Sequence, residues 1–274
     1  MNPQTMIVYF DKDIQALWEP RLKRISQLYS NAELTTVIVG MRRVFVYHIN
    51  SQKFEESYEF LRKNNLVFFP IKKTGVYSGF SHRHMPVKKG EPFTLYGAAV
   101  RTDDQEAGEL FTEYSNSSPV NHNELGKLLG YPKCCSDWFS EHWGKPSVDP
   151  MYEAAMNTIE DKSLSKLDME HVYGVKVSCH PYANNLLRYF GLRITPHLPC
   201  SMQCKETIRW GEEWIDIMRQ IDDEATDWLI ELLSMPLIWD YNKGIAIIDT
   251  SIFRGITNSN THLMRQRVVN NGYE

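Results

Sequence analysis

Hydrophobic residues in the first part of the chain alternate between strand and helix periodicity, in short runs separated by polar turns. The predicted strands are residues 6–10, 34–39, 43–49, 66–71 and 93–100, and the predicted helices are residues 14–29 and 51–63. Two of these strands flank Gly40, a spacing that predicts a hairpin. The pattern therefore predicts a mixed α/β N-terminal region over residues 1–115.

The spacing becomes mainly helical after the polar segment at residues 115–119, which is typical of a linker. Pro132 is expected at the first turn of one helix, and Cys200 is expected to open a long one. The remaining predicted elements are helices at 121–129, 151–159, 181–190 and 222–233, the last capped by Asp222, and strands at 237–239 and 245–248. The sequence thus predicts an α+β fold, with a second, mainly helical region over residues 120–274 that carries a clustered cysteine site.

Residues 72–92 form the longest predicted loop, rich in Gly, Lys, His and Pro. Loops of this length in compact domains are usually functional or mobile. His82 and His84 lie in it as a His-x-His pair, which is a catalytic candidate. The loop would then be a lid that brings cationic groups over an anionic substrate. The alternative is an exposed polar loop without a chemical role.

Composition narrows the functional classes without selecting one. The chain has 274 residues, a net charge of −4 and 42% hydrophobic content, which is ordinary for a globular protein. The acidic balance argues against general nucleic-acid binding. No apolar run reaches the ~18 residues of a membrane span, and no secretory signal is recognised. A cytoplasmic location without membrane partners is expected; the oligomeric state is not indicated.

The five cysteines all lie after residue 133. Cys134 and Cys135 are adjacent, Cys200 and Cys204 are four residues apart, and a proline precedes each pair closely. A helix start carries partial positive charge, which favours thiolate. We therefore expect these four cysteines to converge on one metal site. Cys179 lacks this context and is expected to be dispensable for metal binding.

Several interpretations of the cysteine cluster stay open. Four thiolates match the ligand count of an iron–sulfur cluster, for which [4Fe–4S] is the expected type. Zinc is the alternative, although an adjacent cysteine pair is not typical of zinc sites. If only three cysteines bind, Cys179, His180 or His197 could complete the set. Without metal, the thiols would be buried hydrophobes, or the adjacent pair would form a strained, reducible disulfide.

The two cysteine segments resemble those of a group of uncharacterised prokaryotic proteins. The matching residues are Gly130-Tyr131-Pro132-x-Cys134-Cys135-x-x-x-Phe139 and His197-x-Pro199-Cys200-Ser201-x-x-Cys204. The resemblance covers about residues 121 to 210 and is confined to these two boxes. It implies that the boxes belong together, and it carries over no activity.

His197 is the main catalytic candidate besides the thiols, since it lies three residues before Cys200. It could ligate the metal, donate a hydrogen bond to a sulfur, or cap the backbone. His180, which follows Cys179, is expected to cap the helix predicted after it.

Two functions follow from these residues. The first is an enzyme, an oxidoreductase or transferase, whose cysteine-ligated iron–sulfur centre acts as Lewis acid, electron relay or sulfur carrier on a small or nucleotide-like anionic substrate. The second is a non-catalytic binding module in which the same cysteines hold a structural zinc. P-loop, serine-hydrolase, zincin and kinase signatures are absent. An open coordination position would favour the enzyme, and a closed four-thiolate zinc would favour the module.

Overall fold

The computed structural model describes residues 5–75, 86–143, 145, 150–159, 174–242 and 244–258. Within these ranges the chain forms seven α-helices and eight strands in two antiparallel sheets. The N-terminal half is mixed and the C-terminal half is mainly helical, so the predicted α+β class is confirmed. His82 and His84 lie outside the described residues.

The chain divides into two compact units, residues 33–140 and residues 1–32 with 141–274. The predicted domain boundary between residues 115 and 120 falls inside the first of these ranges. Two domains with those limits therefore stay a prediction. Among the described helices, none is long and apolar enough to cross a membrane.

The unit of residues 33–140 is built around a three-stranded sheet in the order β2-β4-β3. Its strands are β2 Val44–Asn50, β3 Leu66–Gly75 and β4 Phe93–Arg101, and its helices are the end of α1 (Lys12–Ile38), α2 Phe54–Lys63, α3 Gln105–Asn116, α4 His122–Leu128 and most of α5 Lys133–His142. Successive residues of a strand face opposite sides of the sheet. Phe45 accordingly packs with Leu34 and Leu61, whereas Val44 packs with Phe111 and Leu128.

The other unit contains a five-stranded sheet in the order β1-β8-β7-β6-β5. Its strands are β1 Thr5–Tyr9, β5 Gly174–Val177, β6 Leu237–Asp240, β7 Ile245–Asp249 and β8 Phe253–Asn258, and its helices include α6 Pro150–Met156 and α7 Lys205–Leu233. Trp214 of α7 and Trp239 of β6 are among its largest fully buried side chains. The burial of these two large apolar side chains contributes to the stability of this unit.

The predicted strand at residues 34–39, and with it the hairpin, is wrong. Helix α1 runs on to Ile38, because Leu34 and Val37 are spaced to bury one helical face in the core. Gly40 then adopts a positive φ of 79°. The buried Arg42 donates hydrogen bonds to Thr36 Oγ1 and to the carbonyl of Glu33 in the last turns. Tertiary burial and this capping override the β-propensity of the local sequence.

The long loop predicted at residues 72–92 begins later than expected. Residues 72–75 belong to β3, and residues 76–85 lie outside the described part. Three elements had no sequence prediction: helix α3 and the strands β5 and β8. The two strands are short and carry little period-two signal, which explains the omission.

Two predicted helices differ in the C-terminal half. Residues 181–190 form two 3₁₀ turns, Pro181–Ala183 and Arg188–Phe190, rather than one helix. Helix α7 begins at Lys205 and not at Cys200. The predicted Asp222 cap is confirmed: this residue leaves helical geometry (φ −160°, ψ 91°), and its Oδ1 accepts a hydrogen bond from Ala225 N at 3.1 Å.

Candidate metal centre

The first cysteine pair lies in the first turn of helix α5. Pro132 immediately precedes this helix, and its carbonyl accepts hydrogen bonds from the backbone N–H groups of Cys135 and Ser136, both at 3.0 Å. Cys135 is 1% exposed, whereas the Cys134 side chain reaches solvent. The helix start thus places one thiol inside the protein and the other at its surface.

Close packing of helix α4 against helix α5 fixes this turn. Gly130, with φ 73°, ends α4 and lets the chain turn into α5. A Cβ added at Gly126 would lie 2.2 Å from Ser136 Oγ, so any larger residue would push the helices apart. Ser136 is adjacent to Cys135, and the glycine therefore contributes indirectly to the position of that thiol.

The second cysteine pair lies in a tight loop that ends at the N-terminus of α7. Cys204 is the residue before the helix, with extended backbone angles (φ −63°, ψ 115°). Its N–H donates to the carbonyl of Ser201 at 3.1 Å, and its own carbonyl accepts from Ile208 N at 2.9 Å. Cys200 and Cys204 therefore both precede the helix that Cys200 was expected to open, and the loop brings their sulfur atoms within 4.8 Å of each other.

Side chains and backbone from distant segments hold this loop. The Nδ2 of Asn157 donates to the carbonyl of Cys200 at 3.1 Å, and Thr158 Oγ1 accepts from Met202 N at 2.8 Å. The N–H of His180 donates to the carbonyl of Met202 at 2.9 Å. These bonds occupy loop groups that a helix would need for its own ladder, which explains why α7 starts only at Lys205.

His197 is 3% exposed and braces the first turn of α7. Its Nε2 lies 2.9 Å from Thr207 Oγ1, and its ring stands edge-on to Trp210 at 5.3 Å. Burial lowers the pKa of His197 to about 3, while the Cys204 charge acts in the opposite direction. The imidazole is therefore neutral at pH 7. Its catalytic role stays a prediction, since these contacts serve positioning.

His180 takes the capping role that its position indicates. Its Nδ1 accepts a hydrogen bond from the backbone N–H of Tyr182 at 3.3 Å, at the start of the first 3₁₀ turn. Burial lowers its pKa, whereas the Glu212 charge raises it.

The structure brings the four paired cysteines together. The Sγ atoms of Cys134, Cys135, Cys200 and Cys204 all lie within 4.8 Å of one another, a group that could hold a metal ion. The two Sγ atoms of the adjacent pair are 3.8 Å apart, so this pair is not a disulfide. The predicted convergence of the two segments is present in the fold; their assignment as ligands stays a prediction.

Cys179 is outside this group of four among the residues that the structure describes. Burial raises the pKa of its thiol to about 12. The thiol is therefore protonated at neutral pH and is a poor metal ligand or nucleophile. The sequence-based expectation that Cys179 is dispensable for metal binding stays a prediction.

Helix ends supply the favourable electrostatics of the four-thiol group. Cys134 and Cys135 lie in the first turn of α5, and Cys204 directly precedes α7. The N-terminus of a helix carries partial positive charge, which stabilises thiolate and lowers the pKa of a cysteine placed there. The arrangement is thus suited to a metal that requires deprotonated sulfur.

Sequence reasoning missed the polar residues that support the second pair. They are Asn157, Thr158, Asn185 and Thr207, and the last three are each 7% exposed or less. The Nδ2 of Asn185 donates to the carbonyl of His197, which joins the histidine segment to the 3₁₀ turns. Asn184 and Asn185 stand between Ala183 and two leucines, and such a polar pair in an apolar run is the signal that could have identified them.

The region that carries the cysteines is similar to one known family of proteins. Residues 110–234 match a family described as "Protein of unknown function (DUF483)". This match includes all five cysteines but spans a little under half of the chain. No curated protein and no solved structure matches the chain.

Proposed function

We propose that Cys134, Cys135, Cys200 and Cys204 bind a single zinc ion as the structural centre of a non-catalytic binding protein. The observation that carries this proposal is the spacing of the four sulfur atoms. The chemistry required is thiolate coordination, which both helix starts favour.

The sulfur spacing suits one tetrahedral ion. With Zn–S bonds of about 2.3 Å, tetrahedral geometry separates neighbouring sulfurs by about 3.8 Å. The Sγ atoms of Cys134 and Cys135 are 3.8 Å apart, and no pair among the four exceeds 4.8 Å. In a [4Fe–4S] cluster each thiolate binds a different iron, so the ligand sulfurs stand farther apart than on a single ion.

A closed set of ligands supports a structural role. Four protein thiolates complete the coordination of a tetrahedral ion and leave no position for a substrate. The ion would also join two segments separated by about 65 residues in sequence. Such a link restricts the unfolded chain, and metal binding energy then becomes folding energy.

The second candidate is the iron–sulfur enzyme, an oxidoreductase or transferase acting on a small or nucleotide-like anionic substrate. The exposure of Cys134 favours it, because an oxidant, reductant or substrate could approach the centre from that side. The sulfur spacing weighs against it. For both candidates, the five free thiols support a reducing compartment such as the cytoplasm.

Metal and sulfide analysis of protein purified without oxygen tests the proposal. We expect about one zinc per chain, no acid-labile sulfide and no visible absorption. Cys135→Ser and Cys200→Ser should lose the metal, and Cys179→Ser should keep it. Brown protein with several iron and sulfide ions per chain would reject the zinc proposal in favour of the iron–sulfur candidate. Protein that binds neither metal would reject both.

A further inference from the structure

Strand β2 is an edge of the three-stranded sheet. It pairs antiparallel with β4 along its whole length, Val44–Asn50, and with no other strand in the described part of the chain. The outer side of an edge strand presents backbone N–H and C=O groups that can pair with another extended chain. The edge is therefore a template for one more strand.

The two edges of this sheet differ in their protection. Strand β3, the opposite edge, contains Pro70, a register shift between Pro70 and Lys72, and a second lysine at position 73. Proline, bulges and lysine are the usual means of preventing strand addition. Strand β2 has the sequence Val-Phe-Val-Tyr-His-Ile-Asn and a regular register, without proline or formal charge. Of the two edges of this sheet, β2 is therefore the one that lacks these protective features in the described part of the chain.

A groove lies between β2 and helix α2. Its volume is about 680 Å³, within the range of sites that hold several side chains. It is lined by Tyr47, His48, Asn50, Lys53, Glu56, Ser57, Glu59, Phe60 and Lys63. The α2 residues among them are mostly three or four positions apart, so one face of the helix forms a wall. The groove runs beside the open edge.

The groove walls combine apolar and charged contacts. Tyr47 and Phe60 offer aromatic surface, and Phe60 is 41% exposed. Glu56 pairs with Lys53 at 3.9 Å, and Glu59 pairs with Arg62 at 2.8 Å. Both groove carboxylates are therefore offset by a basic partner.

Lys63 is the remaining charge of the groove. Among the described residues it forms no ion pair as close as those two, although its charge contributes, after that of Arg62, to lowering the pKa of Glu59. An acidic group on the occupant would complement it, at the modest energy of an exposed pair. The charge pattern thus favours an occupant with an acid at one end.

We propose that this groove binds an extended peptide segment of another protein. The segment adds a strand to β2, directs alternate side chains into the groove, and places one large apolar side chain against Tyr47 and Phe60, with an acid near Lys63. Main-chain hydrogen bonds would give the affinity and the groove would give the selectivity. A second copy fits less well, because its own α2 would accompany its β2 and leave both grooves unfilled. This inference is independent of the metal.

Selection from a phage-displayed library of random heptapeptides on the full-length chain tests it. We expect the selected sequences to have apolar residues at alternate positions and one acidic residue. The same sequences should bind the protein as synthetic peptides. The backbone nitrogens of such a peptide form two alternating sets, one on each edge of the strand. Methylation of one set should abolish binding and methylation of the other should not, because only one edge of the strand pairs with β2.

Two tryptophan variants provide the matched comparison. Ser57→Trp fills the groove and should weaken peptide binding at least tenfold. Tyr58→Trp changes the neighbouring, 55% exposed residue outside the groove and should leave binding unchanged. Equal melting temperatures would show that both variants are folded.

Three results would overturn the proposal. The first is a library without enrichment, and the second is a set of peptides insensitive to Ser57→Trp and to methylation. The third is a dimer that Ser57→Trp dissociates and that no peptide disrupts, since a second copy would then occupy the groove.

Discussion

The two cysteine pairs are positioned by different means. Cys134 and Cys135 occupy the first turn of a regular helix, and the close approach at Gly126 secures that turn. Cys200 and Cys204 stand in a loop that depends on hydrogen bonds from segments far away in sequence. Each pair nevertheless supplies one buried thiol and one more accessible thiol.

This contrast shows which part of a metal site the local sequence can specify. A helix start follows from proline, glycine and periodicity within a few residues, so the first pair is nearly self-contained. The loop needs donors and acceptors that only the assembled fold provides. The second pair should therefore be more sensitive than the first to substitutions far away in sequence.

Loss of a buried ligand should have the largest effect and should not distinguish the pairs. Cys135→Ser and Cys204→Ser should each abolish metal binding. A link across about 65 residues is worth ~4 kcal/mol by chain entropy. This corresponds to a melting temperature lower by about 10 °C for a chain of this size. Metal analysis and calorimetry measure both effects.

Chelation of the parent protein is the control. A strong chelator with a reductant should lower the parent's melting temperature by a similar amount and leave the two variants unaffected. A parent protein whose stability does not respond to chelation would contradict a structural role for the metal.

The contrast also explains what could be predicted from sequence. The α+β class, strands β6 and β7, the Asp222 cap and the convergence of four cysteines all follow from local pattern and ligand chemistry. The helical course of residues 34–38 could not be predicted, because burial of Leu34 and Val37 outweighs their β-propensity. Nor could the late start of α7, which depends on Thr158, about 45 residues upstream.

The second pair should respond to a change at Thr158. Thr158→Val keeps the side-chain shape but leaves the N–H of Met202 without its acceptor, at a cost of about 1–3 kcal/mol. Supporting residues of this kind typically affect metal affinity by about 10- to 100-fold. Competition with a chromophoric chelator measures the change.

Thr112→Val provides the matched control for that variant. Thr112 makes the same bond to the carbonyl four residues earlier that Thr158 makes, but within the described part of the chain its side chain makes no hydrogen bond to either cysteine segment. Metal affinity should therefore remain at the parent value. Equal weakening by both variants would show that the loop bond has no special importance.

The first pair should respond to the helix contact. Gly126→Ala places a Cβ 2.2 Å from Ser136 Oγ, and overpacking of this kind costs about 1–3 kcal/mol. We expect a lower free energy of unfolding and a metal affinity reduced less than in Thr158→Val. Adding Ser136→Ala removes the clashing oxygen and should restore much of the free energy of unfolding and of the metal affinity. A double variant no better than the single variant in these two quantities would refute the packing explanation.

Cys179 should show the smallest effect. Because burial raises the pKa of its thiol to about 12, it should resist iodoacetamide at pH 8.5 in folded, chelated protein, whereas the exposed Cys134 should react. Cys179→Ser should retain the metal. Mass spectrometry of labelled peptides measures the reactivity. Rapid labelling of Cys179 in the folded state would contradict its assignment as a neutral thiol.

X-ray absorption at the metal edge tests the four-thiolate centre most directly. We expect a single shell of four sulfur atoms at about 2.3 Å around zinc, without metal–metal scattering. Cys200→Ser should abolish this signal, whereas Cys179→Ser should leave it intact. A shell containing nitrogen or oxygen, scattering between neighbouring metal atoms, or protein that retains no metal after gel filtration would rule out the four-thiolate zinc centre.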